Sequence, residues 1–370
     1  MERRAVRTEE PLRVGSPDLE VMIQELIEAV GGSPHAEFLE GMMRSVLRCV
    51  RNKTSRGDIK ILNASLRELV YAFKVFAPYR GVRKVTMFGS ARTPEDQPEY
   101  RQAVAFARAI RDLGWMALTG AGEGIMKAGM DGAGRAGSFG LNIRLPFEQA
   151  ANTVIRNDAK LITFRYFFTR KLLLVKETDA FALFPGGFGT MDETFEILTL
   201  IQTGKSSVVP VVCLDRPGGD FWRGWDAYVR NSLSGRGLIS PSDLALYRVT
   251  DSLQDAVQEV RDFYRNYHSS RYVEDRLVLR LHHAPDMEAL ERLNEAFRDI
   301  LVEGRLEVSR PLPAEANEPA LAHLDRLALH FNRRDVGRLR LLIDALNRLP
   351  VPATTASGIP EGGPPPDPLL

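Results

Sequence analysis

Cysteine is scarce in this chain of 370 residues: Cys49 and Cys213 are too few to build a disulfide framework. Cys213 stands in an apolar, strand-like run, where a thiol reads as a small buried hydrophobe. Histidine is also rare. Six are scattered along the chain, with one adjacent pair at His282-His283 and no spacing that would gather zinc ligands. Charge of one sign is lacking as well. The 49 Lys and Arg against 48 Asp and Glu leave a net charge of +1, which gives no electrostatic reason to expect nucleic acid or an anionic membrane as a partner. No apolar stretch approaches a membrane span and the charged N-terminus has no signal-peptide core, so the expected location is cytoplasmic. What remains, 44% hydrophobic and 26% charged, is an ordinary soluble globular composition, long enough for one main domain plus a smaller one.

Patterning divides the chain. Residues 1–17 are charged and broken by Pro and Gly, and read as a flexible arm. Helical apolar spacing runs from Asp18 to about Val50, and again after Asp58 through Leu62, Leu66, Leu69, Phe73 and Phe76 to Pro78. These predict an N-terminal helical region, 18–80, capping the region from 81 onward. Over 81–270 short apolar runs alternate with helical segments: strands near 85–88, 115–118, 139–145, 160–164, 180–184 and 208–214, and helices near 99–113, 125–136, 166–176, 191–203, 221–233 and 252–267. Such βαβ units predict an α/β fold, a Rossmann-like doubly wound parallel sheet. Strand 276–281, helix 286–301, strands 305–309 and 324–330 and helix 335–346 then predict a small C-terminal α+β appendage over 271–350. The tail 351–370 is rich in Pro and Gly and is expected to be disordered.

Ligands of such sheets bind beyond the carboxyl ends of the strands, and three glycine turns fall there: Gly89-Ser90-Ala91-Arg92, Thr119 to Gly124, and Pro185-Gly186-Gly187-Phe188-Gly189-Thr190. The last is the most informative. A buried strand turns through glycines into a helix carrying Glu193, which sets bare N–H groups and a positive helix end at one point, suited to a phosphate. Glu193 alone could be an ordinary first-turn acid, as Asp192 beside it could. The segment Phe164 to Lys171 places Arg170 on the preceding helix, where a guanidinium either takes a phosphate or carboxylate or pins the helix by an ion pair. Two other glycine motifs mislead. Gly120-Ala-Gly-Glu-Gly124 has Ile125 where a dinucleotide fingerprint needs glycine, and Gly204-Lys205-Ser206 closes a helix with Thr199 in place of the first glycine of a P-loop.

Taken together, Phe88-Gly-Ser-Ala-Arg92, Thr119-Gly-Ala-Gly-Glu-Gly-Ile-Met126, Gly140 to Gln149, Arg170-Lys171 and Pro185-Gly-Gly-Phe-Gly-Thr-Met-Asp-Glu193 resemble the LOG ("Lonely Guy") family of nucleoside 5′-monophosphate phosphoribohydrolases. The likeness covers about Lys84 to Val212 and, more weakly, reaches Tyr267. It implies a doubly wound homodimer or higher homo-oligomer with its site near the subunit interface. It also implies hydrolysis of the N-glycosidic bond of AMP or an N6-modified, cytokinin-type AMP to free base and ribose 5-phosphate. No cofactor or metal is expected. The family's essential pair falls on Arg170 and Glu193; Gly186, Gly187, Gly189 and Thr190 would hold the phosphate, and Gly89, Ser90, Gly120, Gly122, Glu123, Asn142 and Lys171 would line the pocket. Two departures stand out. Ala121 replaces a family glycine, which would crowd a backbone approach, and Leu174 replaces a methionine. Members are often labelled lysine decarboxylases, yet no lysine here has a recognisable Schiff-base context. The alternatives are a nucleotide- or cofactor-binding protein of the same fold without turnover, and an interaction adaptor, against which the balanced charge speaks where DNA is the partner.

Overall fold

The computed structural model describes residues 17–145 and 150–350, so the expected arm, but for its last residue, and the expected tail lie outside them. Two compact units divide the chain, one through Leu69 and one from Val70 onward. In the first, the helical spacing after Asp18 forms two helices, α1 (Pro17–Ala29) and α2 (Ala36–Arg51), where one was expected. Gly31 and Gly32 take φ of 104° and 69° and end α1. Arg44 of α2 holds the two together through Nε to Glu20 Oε2 at 2.6 Å. A third helix, α3, spans Arg56–Phe76.

The second unit continues with β1 (Lys84–Phe88), α4 (Pro98–Asp112), β2 (Met116–Thr119), α5 (Ile125–Ala133), β3 (Ser138–Ile143), β4 (Leu161–Phe164) and α6 (Phe167–Lys176). Next come β5 (Ala180–Leu183), α7 (Phe188–Gln202), β6 (Val211–Leu214), α8 (Phe221–Tyr228), β7 (Arg248–Thr250) and α9 (Leu253–Phe263). The seven strands form one parallel sheet in the order β4-β3-β2-β1-β5-β6-β7. Every residue of β1, β2, β5 and β6 is buried, so they read as largely apolar runs, broken only by Lys84 and Thr86 in β1 and Thr119 in β2. β7, three residues long, escapes that signal. From β1 the chain works outward to β4, crosses back to β5 on the other side of β1, and works outward again. The loops after β1 and β5 therefore part and leave a crevice between them.

A second, antiparallel sheet is ordered β10-β11-β9-β8, from β8 (Tyr267–Val273), β9 (Arg276–Leu281), β10 (Glu307–Ser309) and β11 (Asp325–Leu329), with helices α10 (Met287–Ala296) and α11 (Val336–Arg348). The expected β-α-β-β-α order thus gains a leading strand. β8 gives no apolar alternation because His268, Ser269 and Ser270, polar in sequence, are buried in it. Among the described residues no helix is long and apolar enough to cross a membrane.

The two sheets are joined by buried polar contacts. Asn347 of α11 accepts through Oδ1 from the backbone N–H of Asn266 and of Tyr267, both at 2.9 Å, and donates through Nδ2 to Phe263 O at 2.6 Å. Arg83, entering β1, lies with its guanidinium 3.6 Å from the Tyr264 ring centroid. Tyr264 donates its hydroxyl to Asp179 O at 2.7 Å. Replacing Asn347 by alanine leaves two buried N–H groups without their acceptor, so the Asn347→Ala variant should lose on the order of 2–4 kcal/mol in urea unfolding. A midpoint equal to that of the wild type would refute this account of the junction.

Candidate active site

The carboxyl ends of β1 and β5 face each other across the crevice. Ser90 N donates to Pro185 O at 3.1 Å, and Ser90 O accepts from Ile125 N at 3.0 Å. One residue thus ties the turn after β1 to the other two glycine turns. Space is short here. A side-chain carbon on Gly89 would sit 2.7 Å from Ile125 Cβ, and one on Gly186 would overlap the Thr190 hydroxyl and lie 2.9 Å from Ser90 N.

α7 begins at Phe188, earlier than the sequence pattern implied, with Gly187 as its N-cap residue. Gly189 and Thr190 are therefore in its first turn. The first intrahelical bond runs from Met191 N to Gly187 O at 3.1 Å, so the N–H groups of Phe188, Gly189 and Thr190 come before it and form the positive end of the helix. Gly187, Phe188 and Gly189 are exposed and Gly186 is half-buried, while Thr190 is buried. An anion can reach this end.

Glu193 lies farther along α7 and is only 4% exposed. Arg170 of α6 brings Nη2 to 3.8 Å from Glu193 Oε1, and Lys171 brings Nζ to the same 3.8 Å. Arg170 Nη1 is 3.6 Å from where a Cβ on Gly120 would stand, so the guanidinium lies against the turn after β2. The Phe167 ring stands 5.1 Å from the guanidinium carbon. Burial raises the Glu193 carboxyl to about 7, with Lys171 and Arg170 pulling it back down. Burial also lowers the Arg170 pKa, against the attraction of Glu193 and Asp192. Among the described residues, Arg170 Nε and Glu193 Oε2 are buried without a hydrogen-bond partner. Such atoms are costly to leave unpaired, and a ligand that pairs them gains accordingly.

The remaining expected residues separate into groups. Lys171 donates to Asp192 Oδ2 and Glu196 Oε2, both at 2.6 Å, and so acts as a brace between α6 and α7. Gly122 has its carbonyl held by Asn152 Nδ2 at 3.0 Å. Glu123 is exposed, and Asn142 is half-buried on β3 opposite Thr163 of β4; no bond among the described residues joins either to the Arg170–Glu193 pair. Ala121 adopts φ 60°, and its methyl packs with Met130, Ala151 and Ile155 in the core. Its side chain thus fills a cluster behind the turn. Asn152 was missed in the sequence. Fully buried, it also donates its backbone N–H to Ala121 O at 2.9 Å, and a lone Asn in a loop offers no pattern to single it out.

Beside the pair, Phe167, Phe168 and Leu172 of α6 and Phe188 and Phe195 of α7 are exposed, Phe188 by 97%. Asp275, Glu303 and His330, with ligand atoms within 4.8 Å of one another, are the group of metal-ligand type found among the described residues, and they belong to the antiparallel sheet.

A family model described as "Possible lysine decarboxylase" matches residues 126–260. The chain is 29% identical over 172 residues to the cytokinin riboside 5′-monophosphate phosphoribohydrolase of Mycobacterium tuberculosis, covering 45% of this chain and 88% of that one. It is 29% identical over 160 residues to the protein of the same name from Mycobacterium marinum, covering 42% and 82%. Among solved structures it is similar to the molybdenum cofactor carrier protein of Chlamydomonas reinhardtii, at 19% identity and a TM-score of 0.34 over 48% of this chain and 96% of that one. The LOG-family resemblance read from the motifs is borne out by the family model and the two mycobacterial relatives. The decarboxylase wording is not matched by the residues at the site. Burial would lower the Lys171 pKa, but its bonds to Asp192 and Glu196 more than offset this and raise it, whereas a Schiff-base lysine needs the opposite.

Because the Glu193 carboxyl is raised from 4.5 to about 7, the folded chain holds a proton there that the unfolded chain has already released. Stability drawn from this group is therefore present at low pH and is lost as pH rises from the lower value through the higher. Glutamine mimics the protonated acid at every pH. Glu193→Gln should then melt a few degrees above the wild type at about pH 8 and close to it at about pH 4. An offset equal at the two pH values would contradict the raised carboxyl.

Proposed function

We propose that this chain, a relative of the LOG family through its Rossmann-like region, hydrolyses the N-glycosidic bond of nucleoside 5′-monophosphates, AMP or an N6-modified AMP. The observation that carries the reading is the buried Arg170–Glu193 pair set beside the open N-terminus of α7. An anion site and a carboxylate within one crevice fit a substrate held by its phosphate and cleaved at its sugar. The relatives bearing the phosphoribohydrolase name support the same reaction.

Water adds to C1′ while the C1′–N bond to the base breaks. The bonding electrons leave with the base, and the water proton ends on the departing nitrogen or in solvent. Positive charge develops at C1′ and the ring oxygen as the bond opens. The N–H groups of Gly189 and Thr190 and the Thr190 hydroxyl hold the 5′-phosphate, and Gly186 and Gly187 let it approach the backbone. Anchoring of this kind orients the sugar. Glu193, in its carboxylate form, faces the developing charge or positions the water, and Arg170 holds the phosphate or steers the carboxylate. The exposed aromatic residues of α6 and α7 fit burial in a homodimer beside the site. Sedimentation should then show a dimer, and charge placed at Phe168 should weaken it.

The test is release of base from a panel of nucleoside 5′-monophosphates, followed by chromatography. Adenine should appear from AMP, and Glu193→Gln should lower kcat by about 10²–10⁴ with little change in KM. Since the carboxylate is the working form, kcat/KM should rise with pH and level off above about 7. Near-native turnover by Glu193→Gln would remove Glu193 from the mechanism. A purified chain that retains intact nucleotide and releases no base would move the assignment to a binding protein.

A further inference from the structure

At the other end of the parallel strands from the crevice, where β7 begins and α8, α9 and α11 end, lies a cavity of about 570 Å³. Its acids are already engaged. Asp226 accepts from the Tyr247 hydroxyl at 2.6 Å and from Arg230 Nε at 2.7 Å. Asp344 accepts from Arg340 Nε at 2.9 Å, Glu259 also bonds Arg340, and Asp262 accepts from Arg261 Nε at 3.2 Å. Arg340 is buried and so forms a fixed cationic wall, 4% exposed.

Three further arginines line the same cavity: Arg248 at the start of β7, Arg265 just after α9, and Arg348 at the end of α11. All three are exposed, and among the described residues no side-chain hydrogen bond or close ion pair engages them, though Arg348 lies near enough to Asp344 to attract its carboxylate. Solitary arginines on a convex surface are simply solvated. Three from separate elements around one concavity repel one another and raise its potential, and low-dielectric walls focus that field. Guanidinium forks match phosphate oxygens two at a time. The volume lies within the range that holds a nucleotide-sized molecule.

We propose that this cavity is a second ligand site, taking a small molecule with two or more linked phosphate groups through Arg248, Arg265 and Arg348. None of its lining residues belongs to the crevice around Glu193, so the site stands whether or not the hydrolase reading holds.

Calorimetric titration of the full chain with inorganic pyrophosphate and, separately, with adenosine 5′-triphosphate tests this. Arg265→Glu and Arg348→Glu should each weaken binding at least about ten-fold, and Arg292→Glu, on the exposed face of α10 and outside both sites, should leave it unchanged. Circular dichroism checks the fold, and Arg265→Gln serves as a milder variant should charge reversal disturb it. Comparable affinity for both probes assigns recognition to the phosphates, and binding of the nucleotide alone adds a contact from base or sugar; both support the site. Binding that survives the two charge reversals would put the phosphates elsewhere and overturn the proposal. Failure of both probes to bind would overturn it equally.

Discussion

The crevice depends on an approach of backbone to backbone that no side chain at Gly186 would permit. The turn after β5 passes so close to Ser90 and Thr190 that a Cβ would stand 2.9 Å from the Ser90 amide nitrogen. That contact lets Ser90 N reach Pro185 O and sets the direction in which α7 leaves the sheet. The helix in turn carries Thr190 and Glu193. The exposed start of α7 and the buried carboxylate farther along the same helix are thus consequences of one packing constraint.

The carboxylate is held there at a cost. Glu193 is 4% exposed, and the cations nearest to it, Arg170 and Lys171, stand at 3.8 Å, beyond hydrogen-bond reach. Full contact would have offset the burial and left an ordinary acid. The looser arrangement leaves Glu193 Oε2 and Arg170 Nε unpaired and the carboxyl raised to about 7. Strain of this kind belongs where a ligand completes the bonding. Lys171 supports the arrangement indirectly: its bonds to Asp192 and Glu196 fix α6 against α7, and with that the separation of the pair.

The antiparallel sheet solves a different problem, that of burying cations. Arg326 is fully buried and Arg280 nearly so, and both bond Glu315, Arg280 to Oε1 at 2.9 Å and Arg326 to Oε2 at 3.2 Å. A shared carboxylate between two guanidinium groups needs Glu315 to stay ionised, and despite its burial its pKa is lowered by bonds from the Leu312 amide and from Arg280 and Arg326. Removing one member of such a set leaves an uncompensated charge in the interior, which destabilises strongly, so the three side chains stand or fall together. The sheet is therefore held by specific pairs, and through Asn347 and Arg83 it is joined to the parallel sheet by pairs as well.

Legibility in the sequence tracks this division between apolar burial and specific pairing. β1, β2, β5 and β6 announce themselves because parallel strands buried on both faces are largely apolar. Gly186, Gly187, Gly189, Thr190 and Glu193 could be read because their roles are local: a turn, a helix start and a residue inside that helix. Arg170 could be picked out, being a cation in an aromatic segment, but its 3.8 Å distance to Glu193 is a product of the crossover from β4 to β5. β8 could not be read at all. Ser269, Ser270 and His268 are buried by partners far along the chain, and no local rule marks a polar residue for burial. The same holds for Asn152 and Asn347, whose amides each serve backbone groups in other segments. Residues that act through their neighbours in sequence are visible in it, and residues that splice distant segments become visible only once the chain has folded.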